Sequence, residues 1–195
     1  IFRIDHFLGK EPVQDIIYIR FANALFEPVW SREDVDSIQI TLAEDFGVEG
    51  RGSFYDGVGA IRDVVQNHLL QVLALAAMEP PSGGDDAIQR RRLDVFRAMP
   101  EADPQHAVRG QYAGYREIEG VEPDSDTETF VALRLEIESW RWANVPILIR
   151  AGKALPVNGT EVVVRLERVP QLRWGSNRLD TPGSDDIVLR VGRNA

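Results

Sequence analysis

Apolar residues recur at helical spacing over residues 10–24, at Val13, Ile16, Ile17 and Phe21, with Gly9 just before them, so a core-packed helix is expected there. Over residues 36–44, Ile38, Ile40 and Leu42 alternate with Gln39 and Thr41, the period of a half-buried strand. Gly47, Gly50 and Gly52 then punctuate a loop. It leads to a long helix over about residues 55–78, whose apolar stripe runs Val58, Ile61, Val65, Leu69, Val72 and Leu73. Pro80-Pro81-Ser82-Gly83-Gly84 ends that helix. Asp85 or Asp86 can cap the next, which runs to about Met99 through Ile88, Leu93 and Phe96. Residues 129–136, 145–150, 161–169 and 187–191 read as strands, the last three rich in Val, Ile and Leu. Helices first and clustered strands later predict an α+β fold, a large and mostly antiparallel sheet with helices packed on one face. No internal repeat is present, and a single domain spanning 1–195 is expected.

At 195 residues the chain can bury roughly 70 % of its unfolded surface, enough for a real core. The longest apolar run, from Leu69 to Met78, is interrupted by Gln71 and too short for a bilayer, so no membrane segment is expected. A net charge of -9 repels phosphodiester backbones and argues against a nucleic-acid partner. The absence of cysteine excludes disulfides, thiolate zinc sites and cysteine nucleophiles, and suits a cytoplasmic protein. Residues 117–128 carry six carboxylates and no base, read as solvated surface; no metal site is expected. The chain opens on Ile1 and stops just after a strand-like run, the look of an excised piece.

Two stretches carry candidate chemistry. In Arg3-Ile4-Asp5-His6-Phe7-Leu8-Gly9-Lys10-Glu11, two carboxylates, an imidazole and a lysine crowd nine residues. If a helix begins near His6, then His6 and Lys10 share a face beside its N-terminal amides, which makes an anion site; the alternative is a repelling surface pair. In the second stretch, His68 falls on or beside an apolar stripe. It is either a core imidazole satisfied by a carbonyl or a general base, which requires a carboxylate to fix its tautomer. Asp63 lies five residues earlier, about 140° around an α-helix, so Asp5 is the better partner and Asp63 faces another polar group of a ligand. Lys153 follows a buried-looking strand at a glycine turn, either a cation held at a sheet end or a plain turn lysine. No glycine-rich dinucleotide loop, P-loop or nucleophile elbow is present, so any redox cofactor is held largely elsewhere.

RIDHFLGKE (3–11) resembles the active-site signature of the glucose-6-phosphate dehydrogenase family, and GRGSFYDGVGAIRDVVQNHLLQ (50–71) resembles its second block. The likeness extends through RFANALFEPVW, Glu44 before Phe46-Gly47, LALAAMEPP, RWANVPILIRAGKAL and EVVVRL. It implies the second, substrate-binding and dimerisation domain of that family, incomplete at its C-terminus and without the N-terminal Rossmann domain. It further implies oxidation of β-D-glucose 6-phosphate at C1 with NADP, held mainly by the absent domain, in the pentose phosphate route; the isolated piece is then inactive. By the same resemblance His68 is the base and Asp5 its dyad partner, His6 and Lys10 hold phosphate, Glu44 and Asp63 accept sugar hydroxyls, and Lys153 is a further cation. A homodimer or homotetramer through the sheet is implied as well.

Three positions depart from the family pattern. Phe7 stands where tyrosine is more common, Asn158 near a usual base, and Gly192 near a usual glutamine. They predict weaker or relaxed phosphate recognition. A competing reading is a non-catalytic assembly or sugar-phosphate-binding domain.

Overall fold

The computed structural model describes residues 8–84, 86–168, 173–174, 177–178 and 183–191. The strands are β1 (Val35–Ala43), β2 (Ala107–Gly110), β3 (Phe130–Leu135), β4 (Ile147–Gly152), β5 (Gly159–Leu166), β6 (Arg173–Trp174), β7 (Asn177–Arg178) and β8 (Asp186–Arg190). Six of them form one sheet in the order β2-β3-β4-β1-β5-β8, while β6 and β7 pair separately. Every neighbouring pair in the large sheet is antiparallel except β1 with β4, which run parallel. The mostly antiparallel α+β fold is therefore as the strand pattern predicts, with one parallel exception that positions the site.

Register converts the period-2 pattern into continuous rows. Leu135, Ile147, Ile38, Val164 and Ile187 line up across five strands, as do Leu133, Ile149, Ile40, Val162 and Leu189. These rows face the helices, and Ile38, Ile40, Ile147, Ile149, Val162 and Val164 are wholly buried. Each such side chain stabilises the fold by about 1.5–3 kcal/mol relative to exposure. The opposite face carries Arg134, Leu148, Gln39, Val163 and Val188 in register and is open.

The helical layer comprises α1 (Glu11–Phe21), α2 (Gly52–Asp56), a π-helix (Ile61–Leu69), α3 (Leu70–Ala77) and α4 (Ala87–Arg97). Helix α1 is shorter than residues 10–24: Lys10 is its N-cap, and Pro12 sits in its first turn. The single helix expected over 55–78 is three elements. Gly59 has φ 68°, a conformation no right-handed helix accommodates, and this separates α2 from the π-helix. On α4, Ile88 and Leu93 point out, 39 % and 41 % exposed, while Ala87 and Val95 are buried. The helix turns its 87/91/95 row to α3, and Arg91 Nε reaches the Pro80 carbonyl at 3.3 Å.

The C-terminal carbonyls of α3 have no intrahelical partners, and buried side chains from three other segments supply them. Arg20 Nη1 donates to Leu75 O at 3.0 Å, Trp30 Nε1 to Ala76 O at 2.7 Å and Trp142 Nε1 to Ala77 O at 2.7 Å. Arg20 is fully buried, which pushes its pKa down to about 10 even though it pairs with Glu27 at 3.2 Å. Arg141 extends the network, at 2.9 Å from Glu27 and 2.6 Å from Glu79. The RFANALFEPVW segment is thus a clamp on the end of α3. A smaller cluster of Val48, Tyr55, Tyr115 and Val121 lies beside the main core.

Candidate active site

The parallel pair builds the site. Ala43 of β1 is in register with Gly152 of β4, so the next residues, Glu44 and Lys153, leave the same end of the sheet side by side. The Glu44 N–H donates to Gly152 O at 2.9 Å, and the Leu155 N–H returns to Glu44 O at 2.9 Å. Lys153 is 4 % exposed, and its Nζ lies 2.5 Å from Glu44 Oε2. The Phe46 ring lies 5.2 Å from that ammonium and the Tyr55 ring 5.4 Å, cation–π distances. Lys153 is thus a held cation and not a plain turn lysine.

Tyr55 links this corner to the π-helix. Its hydroxyl donates to Glu128 O at 3.2 Å, and burial, with Asp63, Glu128, Tyr115 and Glu44 adding negative potential, drives its pKa well above the ordinary tyrosine range. Asp63, in the first turn of the π-helix, and His68, in its last, are both half-buried. An α-helix would splay them apart. In a helix closed by i→i+5 bonds each residue turns less about the axis, so a five-residue step lies closer to one full turn than in an α-helix, and Asp63 and His68 are less splayed. The Leu70 N–H bonded to Val65 O is one such closure. The core-facing residues are Val64, Val65 and Leu69.

Lys10 is exposed at the N-cap of α1, whose first turn donates the Val13 and Gln14 amides to its carbonyl. Helix α1 begins at Glu11, so Lys10 precedes its first full turn. Asp5, His6, Phe7 and Gly192 lie outside the described residues. Asn158 is exposed and donates to Asp45 Oδ1 at 2.7 Å.

Two participants escape the sequence reading. Five of the six carboxylates over 117–128 are exposed as expected, but Glu128 is buried at 8 %. It accepts the Ile61 N–H on Oε1 at 2.9 Å and the Ala60 N–H on its carbonyl at 3.0 Å. Its signal was its place directly before the β3 alternation. Tyr55 gives no local signal, because its neighbours come from distant segments. Among the described residues no group of three or more His, Asp or Glu is arranged to hold a metal, and no helix is long and apolar enough to cross a membrane.

Comparison with known proteins fits this geometry. Residues 17–195 match the family "Glucose-6-phosphate dehydrogenase, C-terminal domain". The chain is 57 % identical over 192 residues to glucose-6-phosphate 1-dehydrogenase 1 of Mycobacterium bovis, covering 98 % of this chain and 41 % of that protein. The Zymomonas mobilis enzyme is 44 % identical over 190 residues, 91 % of this chain and 39 % of that protein. The crystal structure of glucose-6-phosphate 1-dehydrogenase from Mycobacterium avium superposes with a TM-score of 0.90 at 58 % identity, covering 97 % of this chain and 43 % of that one. A glucose-6-phosphate dehydrogenase solved with glucose-6-phosphate superposes at 0.89 and 37 % identity, covering 98 % of this chain and 40 % of that one. The chain thus spans about two fifths of the length of these relatives. With its motifs, register and fold all in agreement, it belongs to the glucose-6-phosphate dehydrogenase C-terminal domain family.

Proposed function

We propose that this chain supplies the sugar-phosphate half of an enzyme that oxidises β-D-glucose 6-phosphate at C1 to 6-phospho-D-glucono-1,5-lactone with NADP. One observation supports this most. Glu44 and Lys153, 109 positions apart and both in family motifs, meet at 2.5 Å beside the helix that carries Asp63 and His68.

His68 takes the proton of the C1 hydroxyl as that carbon gives up hydride, so the C1–O bond becomes the lactone carbonyl. Asp5 steers the imidazole and stabilises its charged form. His6 and Lys10 hold the phosphate. Glu44 and Asp63 accept sugar hydroxyls, charge-assisted bonds worth about 1.5–3 kcal/mol each. Lys153 orients Glu44 through their ion pair and is a further cation at the substrate.

Among the described residues no glycine-rich turn joins a strand to a helix in a parallel βαβ unit, which supports a cofactor held elsewhere. The cofactor falls to a nucleotide-binding domain beyond this chain, so these 195 residues alone should not reduce NADP. The open sheet face, with Val108 and Val188 64 % and 46 % exposed, is the surface through which a homodimer or homotetramer would form, in the cytoplasm.

The test is His68→Asn in the full-length enzyme. Turnover should fall by about 10²–10⁴ with glucose 6-phosphate affinity unchanged. A wild-type enzyme that binds the sugar phosphate without oxidising it would identify a binding domain instead. Ordinary preference for glucose 6-phosphate over glucose, unchanged in Phe7→Tyr, would end the idea of relaxed phosphate recognition.

A further inference from the structure

One dipeptide touches both halves of the candidate site. Thr129 O accepts the Lys153 N–H at 3.0 Å, which fixes the backbone of the sheet-end cation. The adjoining Glu128 serves the π-helix: its carbonyl takes the Ala60 N–H and the Tyr55 hydroxyl, and its carboxylate takes the Ile61 N–H. These are the first two amides of the segment that carries Asp63 and His68, and its N-cap residue, Ala60, offers no side-chain cap. The fit is close. A Cβ placed on Gly59 would stand 2.6 Å from Glu128 Oε1 and 2.8 Å from its Cδ, so the glycine is what lets the carboxylate reach Ile61.

The dipeptide is itself anchored. Thr129 N–H donates to Gly110 O at 2.9 Å, and Thr129 Oγ1 accepts the Tyr112 N–H at 2.9 Å. Upstream, Asp56 at the end of α2 accepts the Ser125 hydroxyl at 2.5 Å and the Tyr115 hydroxyl at 2.8 Å, and its carbonyl accepts Thr127 Oγ1 at 2.7 Å.

We propose that Glu128 is a positioning residue: its carboxylate caps the π-helix from a distant loop and so sets where Asp63 and His68 stand relative to the Glu44–Lys153 pair. Glu128 touches no reacting atom in this scheme. The proposal rests on the dehydrogenase reading for its kinetic consequence and on the hydrogen bonds alone for its structural one.

Reach and charge separate cleanly in two substitutions, made in the full-length enzyme. Glu128→Asp keeps the charge but withdraws the oxygens by one methylene; Glu128→Gln keeps the reach and removes the charge. Expected in Glu128→Asp are faster hydrogen exchange at the Ala60 and Ile61 amides and a fall in kcat/KM for glucose 6-phosphate of about ten- to a hundredfold, with KM for NADP unchanged. Glu128→Gln should stay near wild type in both. A Glu128→Asp enzyme indistinguishable from wild type, or a Glu128→Gln enzyme equally impaired, overturns the proposal. Absence of turnover in the wild type would instead overturn the dehydrogenase reading, and the exchange measurement still decides the cap.

Discussion

Glu44 and Lys153 meet because they are the first residues beyond two parallel strands whose last residues, Ala43 and Gly152, are partners in register. The pair is shielded, with the lysine side chain 3 % and the glutamate side chain 22 % exposed. Removing one member leaves the other charged in a place poor in water, and the deeper ammonium suffers more.

Glu44→Gln should therefore destabilise the fold by about 3 kcal/mol, and Lys153→Met by less. The double substitution should cost clearly less than the sum of the two. Urea midpoints at constant m-value measure this, and additive losses would show the two side chains to be uncoupled.

Trp142 fills the core and caps Ala77 O. Trp142→Phe keeps most of the volume but strands that carbonyl, so a loss of about 2–3 kcal/mol is expected. Thermal or chemical unfolding reads it; a loss below half a kcal/mol would mean that water replaces the indole.

Two glycines with positive φ should respond differently to alanine. At Gly50 (φ 76°) a Cβ meets nothing within 4 Å, and the cost is backbone strain alone, about 1 kcal/mol. At Gly59 the same strain adds to a collision with Glu128, and Gly59→Ala should cost at least about twice as much. Equal melting temperatures for the two variants would contradict this.

Acid should weaken the protein through Asp56 and Glu79. Burial pushes the Asp56 carboxyl up, but hydrogen bonds from Ser125, Tyr115 and the Glu122 amide hold it below its ordinary 3.8; hydrogen bonds from Arg141 hold Glu79 below 4.5. A carboxyl whose pKa is lower in the folded than in the unfolded state contributes fully above its unfolded value. That contribution disappears as pH falls through the folded one. Stability should therefore rise with pH from about 3 to 5, and Asp56→Asn should flatten the lower part of the rise. An unchanged slope in Asp56→Asn would remove the carboxylate from this account.

Much of the fold was legible because its signals are local. The alternation Ile38-Gln39-Ile40-Thr41-Leu42 announces a strand with one buried face, and the structure has β1 there. The helix over 55–78 was legible only in part. Its apolar stripe survives, but the break falls at Gly59 with its positive φ, and the amide that follows is capped by Glu128, 67 positions away. On α4 the exposed Ile88 and Leu93 show the same limit, since a helix with many arginines presents more than one workable face.

By itself the sequence determined the α+β class, five of the six strands of the central sheet (all but the edge strand β2), and the motifs that place the chain in its family. Tertiary structure alone decided that Glu44 and Lys153 form a shielded pair, that one carboxylate of an acidic loop is buried, and that the segment carrying Asp63 and His68 is wound as a π-helix. Periodicity reports which way neighbouring side chains face. A strand register, a buried charge or a widened helix is fixed by partners far along the chain, and no local pattern encodes those contacts.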